Sequence, residues 1–590
     1  MAPAPDHVDH VDHVDHVDNV DHVDHVDPVD PVDHVDHVDL SQAVVELDRE
    51  RVSVSACAAG LRSQSSAGRS PRKPTIPRAT SRPLTRDSAR NTTQSRHRAA
   101  RQPDVVQMNA VGDPVSMPMP MPMPIATRAL CSFAFVAAGV AGGCSSPPDK
   151  NLAAVAVWSP GVLYPSEGAV SRGFVDVRGL VHAHSVYSHD ACDGEPVDEN
   201  GVLNAVCNDD FRRGLCQSQH DFVFLTDHGA RFDETEFPDT LLFNPDLGDV
   251  LVDRGVGPSA NRITCDDGHK VLIMAGSEHG LMPVGLEHHL EDRSRYGQLT
   301  AEVATSLRDA GAVILLAHPE DYTAAELKLM PLDGFEMYNL HANSVLGAGF
   351  ILDLLLRAND DDPGVPHADL LVLALWSEDA AYLQRWGSVL ASGKRVVSTM
   401  GTDCHRNTFR TILSDGERAD SYRRMMIAFS NHLRVKAGPD GVVDDAELKE
   451  ALARGRLWGA FEMLGYPLGF DVSASSGADV FEIGDDVPVG STIHARMPRV
   501  RDLDTRQEAP RLLMRVLRAD DSAAGFTEVA RGDGDLDVVA DVAGAWRVEV
   551  RMLPLHLRAA LNDEDFRLLD EVDSRGGDYV WIYANPFYVH

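Results

Sequence analysis

Three histidines and an aspartate fall within nine residues, at His182, His184, His189 and Asp190 in the stretch LVHAHSVYSHD. Imidazole and carboxylate at this density are the donors of a metal site. His182 and His184 are spaced i, i+2, so on a strand they share a face and can reach one ion. Other short apolar runs end in the same residue types: HDFVFLTDHG in Asp227 and His228, KVLIMAGSEHG in Glu278 and His279, and AVILLAHPE in His318. LDGFEMYN ends in Glu336 and Asn339, and RVVSTMGTDCHR in Asp403 and His405. A single strand-end histidine is more often structural. Six such runs are a different matter, because burying so many imidazoles and carboxylates without a cation is prohibitively costly. Nitrogen and oxygen donors without thiolate suit Zn²⁺, Mn²⁺ or Fe²⁺, and their number exceeds the needs of one tetrahedral ion, so two or three divalent ions are expected. A metal cluster of this kind hydrolyses phosphate esters by acidifying a bridging water and clamping the attacking and leaving oxygens.

The elements that must position these groups begin near Gly173, where short apolar strands alternate with amphipathic helices. In TAEVATSLRDAGAVILLAHPE, Thr300 is an N-cap, Val303 and Leu307 share a helical face, Gly311 closes the helix and AVILL is a buried strand. DAAYLQRWGSVLASGKRVVSTMGTDCH repeats the unit, with Gly393 as the stop. Such alternation predicts an α/β fold with a parallel sheet or barrel, in which functional groups gather at the carboxyl ends of the strands.

The ordered set HxH, TDH, a Glu after a strand, AHP and GTDxH resembles the PHP (polymerase and histidinol phosphatase) superfamily over roughly residues 173–407. The resemblance implies a distorted (β/α)7 TIM-like barrel and a metal-dependent phosphoesterase. It implies a first metal held by His182, His184, Glu278 and Asp403. A second would be bridged by Glu278 and held by His318 and a histidine of LEHHL, with His288 favoured over His289. A third would take His228, His405 and the residue after the HxH motif. The family commonly has Ser-Asp-Gly there and this chain has Ser188-His189-Asp190, so His189 takes the place by spacing and Asp190 is the alternative. The nucleophile expected is a metal-bridging hydroxide, with Asp403 and Glu278 as the catalytic carboxylates and Asp403 accepting the water's proton. Arg231, Arg406 and Arg410 follow the ligands closely and are candidates for a substrate phosphate, since the guanidinium offers a bidentate fork. Cys404, between two ligands on a strand, points the other way and is expected to be a buried, inert thiol.

The remaining segments bound the setting. Residues 6–39 repeat Asp-His-Val with a period of three, holding eight of the 26 histidines and twelve aspartates. That period fits neither strand nor helix, so residues 1–107 are expected to be a low-complexity, disordered tail, and a start at Met108 or Met117 is expected. The apolar run ALCSFAFVAAGV before AGGCSS is too short to span a bilayer. It suits a signal peptide over 108–144 with a lipobox-like Cys144, followed by a linker over 145–172. Export to the bacterial cell envelope, periplasmic or at the surface, and membrane contact through a lipid anchor are therefore expected. Cys192, Cys207, Cys216 and Cys265 form an even set consistent with two disulfides of undetermined pairing, and no CxxC pair favours structural zinc.

The barrel is assigned to 173–440, a connecting helix capped by Asp444 and Glu447 to 441–459, and a β-sandwich to 460–590, where AWRVEVR and its neighbours alternate with a period of two. A calcium loop before this helix is excluded because Lys436 and Gly438 would occupy its first and third positions. A formal charge of −36 disfavours nucleic acid as a partner and leaves a small phosphorylated or ester substrate. Hydrolysis of a C–N or carboxylic ester bond by the same centre, and ligand binding by a non-enzymatic lipoprotein, are the alternatives.

Overall fold

Gly179 sits where two strands come too close for a side chain: a Cβ there would stand 2.2 Å from the Phe222 carbonyl oxygen. That contact joins Phe174–Val181 to Phe222–Phe224 in parallel, and the latter pairs in parallel with Lys270–Glu278. These elements belong to a computed structural model describing residues 170–255, 257–340, 342–343, 366–376, 378–438, 442–563 and 567–590. The segments expected to be a low-complexity tail, a leader with Cys144 and most of a linker lie outside the described residues, and among the described residues no helix is long and apolar enough to cross a membrane.

The fold is α/β with mixed sheets. After Lys270–Glu278 the chain reverses twice, through Met282–Leu286 and Val313–Leu315, each antiparallel to its predecessor. Gly334–Asn339 and Val397–Gly401 then form a separate parallel pair. A closed barrel is not shown: the described residues form no closed sheet. The separate pair meets the large sheet through isolated bonds: Glu336 N–H to Leu316 O at 3.0 Å, Asp403 N–H to His182 O at 3.2 Å and His184 N–H to Cys404 O at 3.2 Å. A physical reason lies in the backbone at the strand ends. His182, His318 and Asp403 have φ of 89°, 48° and 51°, which turns each out of the ladder.

The helices follow the sequence closely. Ala301–Asp309 is capped by Thr300, whose side chain accepts from Val303 N, and it buries Val303, Ala304 and Leu307. Ala380–Ala391 is capped by Asp379 and followed by Gly393 at φ 83°. In Asp445–Ala453, the N–H of Asp444 donates to Glu447 Oε2 at 3.1 Å. The disulfides are Cys192–Cys207 and Cys216–Cys265. Cys404 is fully buried, and burial pushes its thiol up to about 12, as an inert cysteine requires.

The C-terminal strands are antiparallel except for the short parallel pairing of Asp486–Val487 with Phe587–Val589, and their main sheet is not independent of the N-terminal one. Ser430–Val435 pairs with Phe174–Val181, Leu457–Ala460 pairs with Ser430–Val435, and Tyr579–Ala584 pairs with Leu457–Ala460. Gly544–Leu553, Arg511–Ala519 and Phe526–Gly532 extend it. A second sheet of four antiparallel strands is built from Asp471–Ser476, Asp479–Glu482, Ser491–Arg496 and Leu536–Ala540. Both contribute to one apolar core, through Val472, Ile493, Val516 and Val550 among others.

A buried chain of charges crosses this junction. Arg178 Nη2 lies 3.1 Å from Glu462 Oε2, Glu462 Oε1 is 3.0 Å from His432 Nε2, and His432 Nδ1 is 3.2 Å from Asp176 Oδ2. Burial works to lower the His432 pKa, but Asp176 and Glu462 outweigh it and raise it to about 9 from 6.5. The resulting stabilisation is complete below pH 6.5 and is lost as pH rises through 9. Chemical denaturation should therefore show the wild type losing about 2–3 kcal/mol between pH 6.5 and pH 9.5 relative to His432→Gln. Parallel curves for the two proteins would contradict this role.

Candidate metal centre

Ala183 separates the two leading histidines and turns its own side chain into the core, so His182 and His184 project together. Their Nε2 atoms stand 3.0 Å apart. Two carboxylates from distant strand ends complete the group. Glu278 Oε2 is 2.9 Å from His182 Nε2 and 3.3 Å from His184 Nε2, and Asp403 Oδ1 is 3.2 Å and 3.1 Å from the same atoms. A second group consists of His184, Asp190, His228 and His405, and within each group the ligand atoms lie within 4.8 Å of one another. His405 Nε2 is 3.2 Å from Asp190 Oδ2, and its ring stacks on His184 with centroids 3.7 Å apart. His318 adjoins the first group, with Nε2 at 3.2 Å from Glu278 Oε1 and 3.6 Å from Asp403 Oδ2. The two oxygens of Glu278 thus face different histidines.

Two histidines expected as ligands stand apart from both groups. His189 is exposed, its ring 5.7 Å from that of His228, and the neighbouring Asp190 occupies the second group instead. His288 is also exposed and its Nδ1 lies 3.0 Å from His289 O. His289 is turned to Thr235 O at 2.7 Å and to the Tyr296 hydroxyl at 3.1 Å. The antiparallel run of Met282–Leu286, with Val284 opposite Gly276 and Leu286 opposite Ala275, carries the chain away from the Glu278 end of its neighbour. Period and motif cannot show that reversal.

Asp227 of the TDH motif is not among the clustered ligand atoms. Its carboxylate accepts from Ser185 N at 2.5 Å and Ser185 Oγ at 2.7 Å, which pins the turn after the HxH pair. Of the three arginines, Arg406 pairs with Asp210 at 3.0 Å and Arg410 with Asp193 at 3.0 Å. Arg231 lies in the short helix Gly229–Glu234 directly after His228 and makes no ion pair among the described residues. Behind His318, Glu320 lies at 3.1 Å from Nδ1 and is itself bonded by the Tyr382 hydroxyl. The sequence offered a sign of this pair in Glu320, two residues after the histidine, but none of Tyr382.

The electrostatics fit divalent cations. Burial and the neighbouring His405 drive His184 down to about 4. Burial is outweighed by Glu278 and Glu320 at His318, which rises to about 12, and by Asp190 and Asp403 at His405, which rises to about 9. His182 is likewise raised by Glu336, Asp403 and Glu278 against its burial. Protons on some rings therefore offset the charge of the neighbouring carboxylates. Divalent ions would replace them, with neutral imidazole and carboxylate as the donors. Loading with Zn²⁺ or Mn²⁺ at pH 7 should release one proton or more per chain, seen by calorimetry in buffers of different ionisation enthalpy, and should raise the melting temperature. Binding with no proton release would contradict the protonation pattern.

No protein-family model and no curated protein matches the chain. A solved structure with some likeness is the crystal structure of a two-domain protein containing predicted PHP-like metal-dependent phosphoesterase from Bacteroides vulgatus. It is 12% identical, with a TM-score of 0.24, over 66% of this chain and 94% of that one.

Proposed function

We propose that the chain is a PHP-type metal-dependent hydrolase acting on a small phosphoester. What carries the reading is one observation: two ligand groups that share His184 and draw on residues more than two hundred positions apart. Divalent ions bound there supply Lewis-acid stabilisation of anionic oxygens and acidify water. In this reading His182, His184, Glu278 and Asp403 hold one ion, and His184 or its neighbours His228 and His405, with Asp190, hold another. His318 contributes from the outer side of Glu278. Asp403, with Oδ1 toward the imidazoles and Oδ2 toward His318, accepts the proton of the attacking water. Arg231, which makes no ion pair among the described residues, orients a substrate anion. Export and a lipid anchor at Cys144 remain part of the proposal and rest on the leader sequence.

Asp403→Asn in the metal-loaded protein should lower kcat at least about a hundredfold. Arg231→Ala should raise KM about tenfold for phosphomonoesters while leaving an uncharged carboxylic ester unaffected. A panel of phosphomonoesters, phosphodiesters, amides and carboxylic esters, assayed with and without chelator, tests the class. Turnover of esters or amides alone would move the reading to the alternative chemistry. Stoichiometric metal with no turnover at all would favour a binding protein.

A further inference from the structure

Glu336 and Asn339 end one of the strand runs, yet neither belongs to a ligand group, although both are fully buried beside one. Glu336 Oε1 lies 2.7 Å from His182 Nδ1, while Nε2 on the same ring faces Glu278 and Asp403. The other carboxylate oxygen, Oε2, accepts from Asn339 Nδ2 at 3.1 Å, and that amide nitrogen is also 3.3 Å from Asp403 Oδ2. Room for the contact comes from the adjacent strand. A Cβ at Gly401 would stand 1.8 Å from Glu336 Oε1 and 3.0 Å from His182 Nδ1. Gly401 is ordinary extended strand, outside the positive-φ positions, so what it provides is space and not a turn.

We infer that Glu336 is the positioning residue of His182, holding the Nδ1 proton so that Nε2 presents its lone pair to a metal, with Gly401 keeping the space and Asn339 coupling the carboxylate to Asp403. A neutral imidazole has one donor nitrogen and one acceptor, so the partner of Nδ1 decides what Nε2 can do. A carboxylate behind a ligating histidine fixes the ring and strengthens it as a donor. The inference rests on the metal-binding part of the proposed function and is independent of the substrate.

The test is zinc affinity of the full-length protein, measured by competition with a chromophoric chelator. Glu336→Ala should weaken binding about 10–100-fold, and Glu336→Gln, which keeps an acceptor oxygen, should lose less. Gly401→Ala should match Glu336→Ala although the glutamate is still present. The double variant should be no weaker than Glu336→Ala alone, because both changes delete one hydrogen bond. In ¹⁵N-histidine spectra of the zinc-loaded protein, the His182 Nδ1–H signal should be present in the wild type and shifted or lost in Glu336→Ala. Unchanged affinity in Glu336→Ala or Gly401→Ala, or additive losses in the double variant, would overturn the inference. Should Glu336→Ala fail to fold by circular dichroism, Glu336→Gln decides, since it must alter either the affinity or the His182 signal. No readout uses a substrate, so failure of the phosphoester reading would leave a zinc result standing.

Discussion

Asp403, which is buried, and Glu278, which is partly so, are carboxylates faced chiefly by imidazole rings, and the rest of the structure answers to that constraint. Each is held well below its ordinary pKa, against its own burial, by the histidines around it. The histidines in turn are driven in opposite directions, His184 down and His405 and His318 up. Such a set is self-consistent only when the donors meet within a few ångströms, because an isolated buried charge has nothing to offset its lost hydration. Strand ends from across the chain must therefore arrive at one place, and the fold is the device that brings them there.

The means are local and physical. Left-handed backbone at His182, His318 and Asp403 turns three side chains toward the centre where a regular ladder would carry them past it. Strain of this kind, on residues other than glycine, persists only where surrounding structure over-determines it. Here Asp227 pins the turn after His184, and the parallel pair carrying Glu336 and Gly401 backs His182 from behind.

Much of this was legible from residue types. The helices were marked by Thr300, Asp444, Gly311 and Gly393, because caps and left-handed stops depend on neighbours a few positions away. His182, His184, Glu278 and Asp403 were legible because each ends an apolar run, and a buried run must put its polar terminus at an end of the sheet. His288 lies apart from the clustered donors because spacing says nothing of direction, and the antiparallel strand before it leads away from Glu278. His189 and Asp190 are adjacent in sequence, and which of them faces inward depends on how the turn beyond the strand is packed. The main sheet of the C-terminal strands continues into the N-terminal half, since Leu457–Ala460 pairs with Ser430–Val435 on one edge and Tyr579–Ala584 on the other.

The sequence by itself determined the donor chemistry, the elements that end in it and the even set of cysteines, all consequences of composition and short-range periodicity. Tertiary structure alone decided that His184 serves two groups, that Cys192 pairs with Cys207, that Arg406 and Arg410 are engaged by carboxylates, and that Gly401 makes room for Glu336 behind His182. Those outcomes depend on distances between atoms far apart along the chain, and only the packing of whole strands against one another sets such distances.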